Sequence, residues 1–166
     1  MAIPSFLAEL RSLVGTRPLW LTGVGAVVRD EEGRVLLNRR SDSGRWGIVG
    51  GILDPGEQPA EGLVREVFEE TGVVAEPEML SAVTVSPMMS YPNGDQAQYL
   101  DLTFRCRAVS GEARVNDDES LEVRWFTLAE LAELELDEYV RYRLELALAG
   151  KAEAAFSFTP GTGDPA

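Results

Sequence analysis

One segment limits what this chain can fold into more than any other: residues 51–73, GILDPGEQPAEGLVREVFEETGV. A loop punctuated by glycine and proline leads into residues 59–71, where three signals predict a helix. Pro59 lies near the first turn, acidic residues come early, and Gly72 follows the last turn. Leu63, Val64, Val67 and Phe68 supply an apolar stripe that must be buried. At about 100° per residue, Glu66, Glu69 and Glu70 fall in one sector about 100° wide, mainly apart from that stripe. The fold must cover one face of this helix and tolerate crowded carboxylates on another.

Crowding has a cost. Like charges at i, i+4 destabilise a helix by roughly 0.2–0.5 kcal/mol even in water. A bound cation would offset it. Hard cations such as Mg²⁺ favour carboxylate and carbonyl oxygens and keep waters for a substrate phosphate. A solvated acidic face on an acidic protein is the alternative, and the neighbourhood weighs against it. Gly50-Gly51 and the Pro55-Gly56 turn can bring a bare backbone carbonyl close to the helix. Glu57 on that loop can pair with Arg65 and brace loop against helix.

Elsewhere strands are interspersed with helices. Residues 4–14 carry apolar side chains at helical spacing and stop at Gly15. Residues 20–28 and 34–40 read as strands joined through a turn at 30–33, a hairpin. Residues 41–45 form a polar loop, and 46–51 a short buried piece. Strand material follows over 73–87. Residues 88–96 form a loop with Asn93-Gly94 as its turn. Strands are read at 98–109 and 121–126. Thr127 to Glu130 fits a capping box, and 137–149 is a longer amphipathic helix. Beyond residue 158 the turn-rich tail is expected to be disordered. The chain divides into an N-terminal helical extension over 1–18, one domain over 19–150 and a tail over 151–166. The expected class is α/β: a sandwich with a mixed sheet and helices on both faces.

Composition narrows the chemistry. The 166 residues suit one domain, and 45% apolar with 26% charged residues is ordinary for a globular protein. The absence of histidine excludes imidazole catalysis and any His-ligated zinc. A single cysteine, Cys106, excludes an internal disulfide and CxxC chemistry. A net charge of −13 repels nucleic-acid backbones. Nucleotides remain acceptable, because divalent cations invert the local field. No run approaches the roughly 20 apolar residues that cross a bilayer. Residues 1–11 lack the basic start and apolar core of a signal peptide. The expectation is a cytoplasmic protein with no nucleic-acid or membrane partner.

As a pattern, residues 51–73 resemble the Nudix box: Gly, five residues, Glu, seven residues, Arg-Glu, an aliphatic residue, any residue, Glu-Glu, any residue, Gly, an aliphatic residue. Gly51, Glu57, Arg65, Glu66, Val67, Glu69, Glu70, Gly72 and Val73 match it. A chance match somewhere in the chain is of the order of one in a million at ordinary residue frequencies. The resemblance spans roughly 19–134. Its one departure is Val49, where many family members place a proline before the double glycine.

The resemblance implies hydrolysis of a pyrophosphate bond in a nucleoside diphosphate derivative, with Mg²⁺ or Mn²⁺ as cofactor. It implies Glu66, Glu69, Glu70 and the Gly50 carbonyl as metal ligands, and Arg65 with Glu57 as a structural pair. Family members draw the general base either from the box or from a downstream loop. The acidic run Asn116 to Ser120 makes Glu119 the candidate for extra ligand or base, with Asp118 next; a solvated acidic loop is the alternative. Arg39 and Arg40 could meet phosphate, and Trp46 could stack on a base or belong to the core. Tyr91 and Asp95 lie in the loop expected to shape the substrate pocket. Pro87 and Tyr91 give conflicting hints about substrate. ADP-ribose or a relative ranks first, and an ordinary or oxidised nucleoside triphosphate second. A non-catalytic nucleotide sensor is the alternative function, and the complete set of box carboxylates weighs against it. The apolar stripe of the N-terminal helix, with the resemblance, points to a homodimer.

Overall fold

A computed structural model describes residues 4–157. Its elements run α1 (Ser5–Val14), β1 (Leu19–Arg29), β2 (Val35–Arg40), β3 (Trp46–Gly47), α2 (Pro59–Thr71), β4 (Val73–Val85), β5 (Met89–Ser90), β6 (Gln96–Gly111), β7 (Ser120–Phe126), α3 (Leu128–Glu133) and α4 (Glu138–Leu148). The sheet is mixed. β1 runs parallel to β6 along its whole length, from Leu19 opposite Ala97 to Arg29 opposite Arg107. The other strand pairings are antiparallel, with β4 on β6, and β7 and β3 on β2.

The expected hairpin of the first two strands forms only at its turn, where Arg29 faces Val35. Beyond it the strands part. The segment after β3 fills the gap along β1, bridging Ala26 to Val49 and Gly23 to Ile52. This inserted stretch carries the double glycine and brings it to the sheet.

Both faces of the sheet are buried, which explains the unbroken apolar run in β1. Val24, Ala26 and Val28 point toward α2 and pack with Leu36, Leu63 and Val67. Val27 points the other way, with Val35, Leu37, Phe126, Leu131 and Leu144 under α3 and α4. Leu63 and Val67 are fully buried, and each contributes roughly 1.5–3 kcal/mol. Phe68, expected in the buried stripe, is 47% exposed. The core-facing row instead runs through Leu63, Val67, Glu70 and Thr71.

The N-terminal helix α1 packs on its own domain. Leu7 is buried against Leu21 and Ala97. Arg11 donates to the carbonyls of Arg17 and Gln96, each at 2.7 Å. The expected capping box closes at Thr127 and Glu130. At the far end, Ala155 bridges to Ala82 of β4, so at least this part of the expected tail lies on the sheet. The rest of the tail, from 158 on, lies outside the described residues.

Candidate active site

The row that buries Leu63 and Val67 also carries Glu70, because residues four and seven positions beyond Leu63 share its side of the helix. Glu70 is only 4% exposed. Loss of water raises its pKa, and the charge of Glu66 raises it further, up to about 9. Arg40 pulls in the opposite direction but does not compensate. Asn38 of β2 donates its Nδ2 to Glu70 Oε2 at 2.5 Å and to Ser120 Oγ at 3.1 Å.

Glu66 lies one turn earlier, against the bare Cα of Gly51. A Cβ on Gly51 would fall on the Glu66 carboxylate. Burial raises the Glu66 pKa, and Arg65 partly restores it. Gly50 is required for a different reason: its Cβ would collide with the Val24 carbonyl. The Val49 and Gly51 carbonyls accept from Ala26 and Val24 N–H. The Gly50 carbonyl, on the alternate register, faces away from β1.

Arg65 and Glu57 form the expected brace. Arg65 donates Nε to Glu57 Oε1 at 2.9 Å and Nη2 to Oε2 at 3.0 Å, a two-pronged pair. These bonds hold Glu57 below the usual carboxylate range and raise the Arg65 pKa. The Asp54 N–H also donates to Glu57, tying the loop to the helix. The remaining prong, Nη1, reaches Glu66 Oε1 and Glu69 Oε2, both at 3.0 Å. Glu69 is thus turned toward Arg65, with about half its side chain in water.

The acidic loop covers the end of α2. Arg114 and Asn116 N–H groups donate to the Thr71 and Glu70 carbonyls, and Asn116 Nδ2 donates to the Phe68 carbonyl. The Thr71 and Glu70 carbonyls thereby gain partners that a helix end does not itself supply, and the Phe68 carbonyl, already bonded by the Gly72 N–H, gains a second. This docking brings Glu119 within electrostatic reach of Glu66 and Glu70. Burial and Asp117 raise the Glu119 pKa. The charge of Asp117 also raises the Glu70 pKa.

The predicted substrate contacts divide. Arg40 lies on the Asn38 side of β2, and its charge reaches Glu70, Glu119 and Tyr91 while its guanidinium pairs with Asp42 at 2.8 Å. Arg39 is not brought to the carboxylates. Strand alternation sends it to the other face, where it donates to the Gly44 carbonyl. Trp46 packs edge-on against Phe126, at 4.8 Å between centroids, within the core under α4. Asp95 is engaged by Arg11 at 3.5 Å and by Asn93, and so anchors α1. Tyr91 shares a 2.6 Å hydroxyl contact with Tyr99, a half-buried residue not singled out from the sequence. Asn38 and Ser120 were also missed.

Among the described residues, no three acidic side chains stand close enough together to enclose an ion as they are. The donor chemistry nevertheless suits a hard cation. Glu66 and Glu70 are adjacent on α2, largely out of water and mutually repelling, and the charge of Glu119 acts on both.

A model of the NUDIX domain matches residues 20–146. A MutT-like protein from Streptomyces ambofaciens is 38% identical over 122 residues, 74% of this chain and 73% of that one. An ADP-ribose pyrophosphatase from Methanocaldococcus jannaschii is 28% identical over 123 residues, 69% of this chain and 70% of that one. The crystal structure of a MutT protein from Methanosarcina mazei Go1 superposes with a TM-score of 0.67 at 26% identity, covering 82% of this chain and 99% of that one.

Proposed function

The chain belongs to the NUDIX family and is a Nudix hydrolase, and from this premise we propose that it hydrolyses the pyrophosphate bond of an ADP-ribose-like nucleoside diphosphate derivative. The observation that carries the reading is the pair Glu66 and Glu70, held out of water beside Gly50-Gly51 and braced by Arg65 and Glu57. In this reading Glu66, Glu69, Glu70, Glu119 and the Gly50 carbonyl hold Mg²⁺ or Mn²⁺. The cation, when bound, neutralises the pyrophosphate and lowers the pKa of a bound water. The chain's own part is positioning and charge. Arg65 keeps Glu57, Glu66 and Glu69 in one array. Arg40 offers a cation to a substrate phosphate. Glu119, half-buried beside Asp117, is suited to hold a proton.

The ADP-ribose ranking is supported by the loop YPNGD and by the relative named as an ADP-ribose pyrophosphatase. We place the protein in the cytoplasm, and propose a homodimer in which Leu13, 79% exposed on α1, meets the partner copy. A mass measurement in solution decides the latter.

The test is a panel of ADP-ribose, other nucleoside diphosphate derivatives, and ordinary and oxidised nucleoside triphosphates, each with Mg²⁺. The reading expects ADP-ribose to yield AMP and ribose 5-phosphate. Preferential release of pyrophosphate from a triphosphate moves the substrate class. Tight binding with every substrate left intact replaces hydrolysis by a sensor role.

A further inference from the structure

We propose that Asn38 is a positioning residue for the cation-binding face, setting the Glu70 carboxylate and tying α2 to the start of β7. The inference rests on the reading of Glu66 and Glu70 as cation ligands. Asn38 is 2% exposed, in a strand whose preceding residues Val35, Leu36 and Leu37 are fully buried. A buried amide there costs desolvation and suits a strand poorly, so its place needs a specific reason.

The hydrogen bonds supply one. The Asn38 amide has two N–H donors, and both find acceptors, Glu70 Oε2 and Ser120 Oγ. Its Oδ1 is buried without a partner. With Glu70 ionised, as a cation ligand is, the reverse orientation would set Oδ1 against a carboxylate oxygen. The amide therefore gives up its acceptor to aim both donors. Glu70 Oε2 is held in place, and no hydrogen bond to Glu70 Oε1 is found among the described residues. One oxygen is anchored and the other is left for a cation.

The same amide links two acidic elements. Ser120 follows Glu119 directly, and the Glu119 carbonyl accepts from Ser41 N–H at 2.8 Å. Asn38 thus fixes where Glu70 on α2 stands relative to the loop that carries Glu119. Without it, the Glu70 side chain gains rotamers that cation binding must then remove. Loss of such an outer partner typically weakens metal affinity about 10–100-fold.

The experiment titrates the full chain with Mn²⁺ alone, without substrate, counting free ion by electron paramagnetic resonance. Asn38→Leu and Asn38→Ala should bind at least about tenfold more weakly than wild type while keeping native circular dichroism. Ser120→Ala keeps the bond to Glu70 and should stay within about threefold of wild type, on the low side of that range. Folded Asn38 variants that bind Mn²⁺ as wild type does overturn the proposal alone. A wild type that binds no Mn²⁺ overturns the metal reading and this proposal with it. Should neither Asn38 variant fold, the wild type answers by nuclear magnetic resonance. Its Asn38 side-chain amide signals should move as Mg²⁺ is added, in step with occupancy, and signals that stay fixed at saturation overturn the proposal.

Discussion

Glu70 gives the metal-free protein a pH signature that its replacement by glutamine should erase. The unfolded chain loses this proton near pH 4.5, whereas the folded chain holds it up to about pH 9. Between those values the folded state carries the extra proton, so stability falls as pH rises. The contribution is complete below about 4.5 and gone above about 9. Each pH unit in the window costs about 1.4 kcal/mol. From pH 6 to 8 that is about 2.7 kcal/mol at most, reduced to roughly 1–2 kcal/mol because Glu66 and Glu119 titrate together with Glu70. A domain of this size shifts its Tm by about 2–4 °C per kcal/mol. Glu70→Gln keeps the shape and an acceptor for Asn38 but carries no titrating proton. In excess EDTA, the Tm of the variant minus that of wild type should therefore grow by several degrees between pH 6 and 8. Taking the difference cancels groups common to both proteins. With saturating Mg²⁺ the wild type should gain more at pH 8 than at pH 6, because carboxylate ligands bind metal deprotonated. A difference that stays constant with pH refutes the reasoning.

Glu57→Gln should loosen a partly exposed brace, lowering the Tm by a few degrees, on the order of 1 kcal/mol, while Mn²⁺ binding by calorimetry survives. Gly51→Ala places a methyl group on the Glu66 carboxylate; Mn²⁺ affinity should drop about tenfold or more with little change in circular dichroism. Leu63→Ala removes a fully buried side chain between α2 and the sheet and should cost about 2–5 kcal/mol, seen as a lower urea midpoint at unchanged slope.

The helix and the brace were legible because both are local. Glu57, Arg65 and the three glutamates lie on one loop and one helix, where spacing alone fixes which side chains can meet. Burial of Glu70 was also within reach, since it sits three residues beyond Val67 and seven beyond Leu63, on their row. Assigning Phe68 to the stripe hid this. Strand alternation likewise separates Arg39 from Arg40 once Leu36 is known to face α2. Asn38 was out of reach: a polar residue between three apolar ones and two arginines gives no hint of a partner thirty-two positions away. The parting of β1 and β2 was hidden for a similar reason, because the segment that fills the gap pairs through isolated bridges rather than a regular strand. Asp95 looked like a pocket residue until α1 folded back and set Arg11 beside it.

The central claim is that Glu66 and Glu70 form the metal-dependent hydrolytic face. Turnover of the best nucleotide substrate tests it most directly, measured for wild type and Glu70→Gln with saturating Mg²⁺ and again in excess EDTA. Chelation should abolish wild-type turnover, and Mg²⁺ or Mn²⁺ should restore it. Glu70→Gln, folded by circular dichroism, should lose on the order of 10²-fold or more in kcat, since charge stabilisation through a bound metal is worth several kcal/mol. Full wild-type turnover in EDTA, or near-normal turnover by Glu70→Gln, would contradict the account.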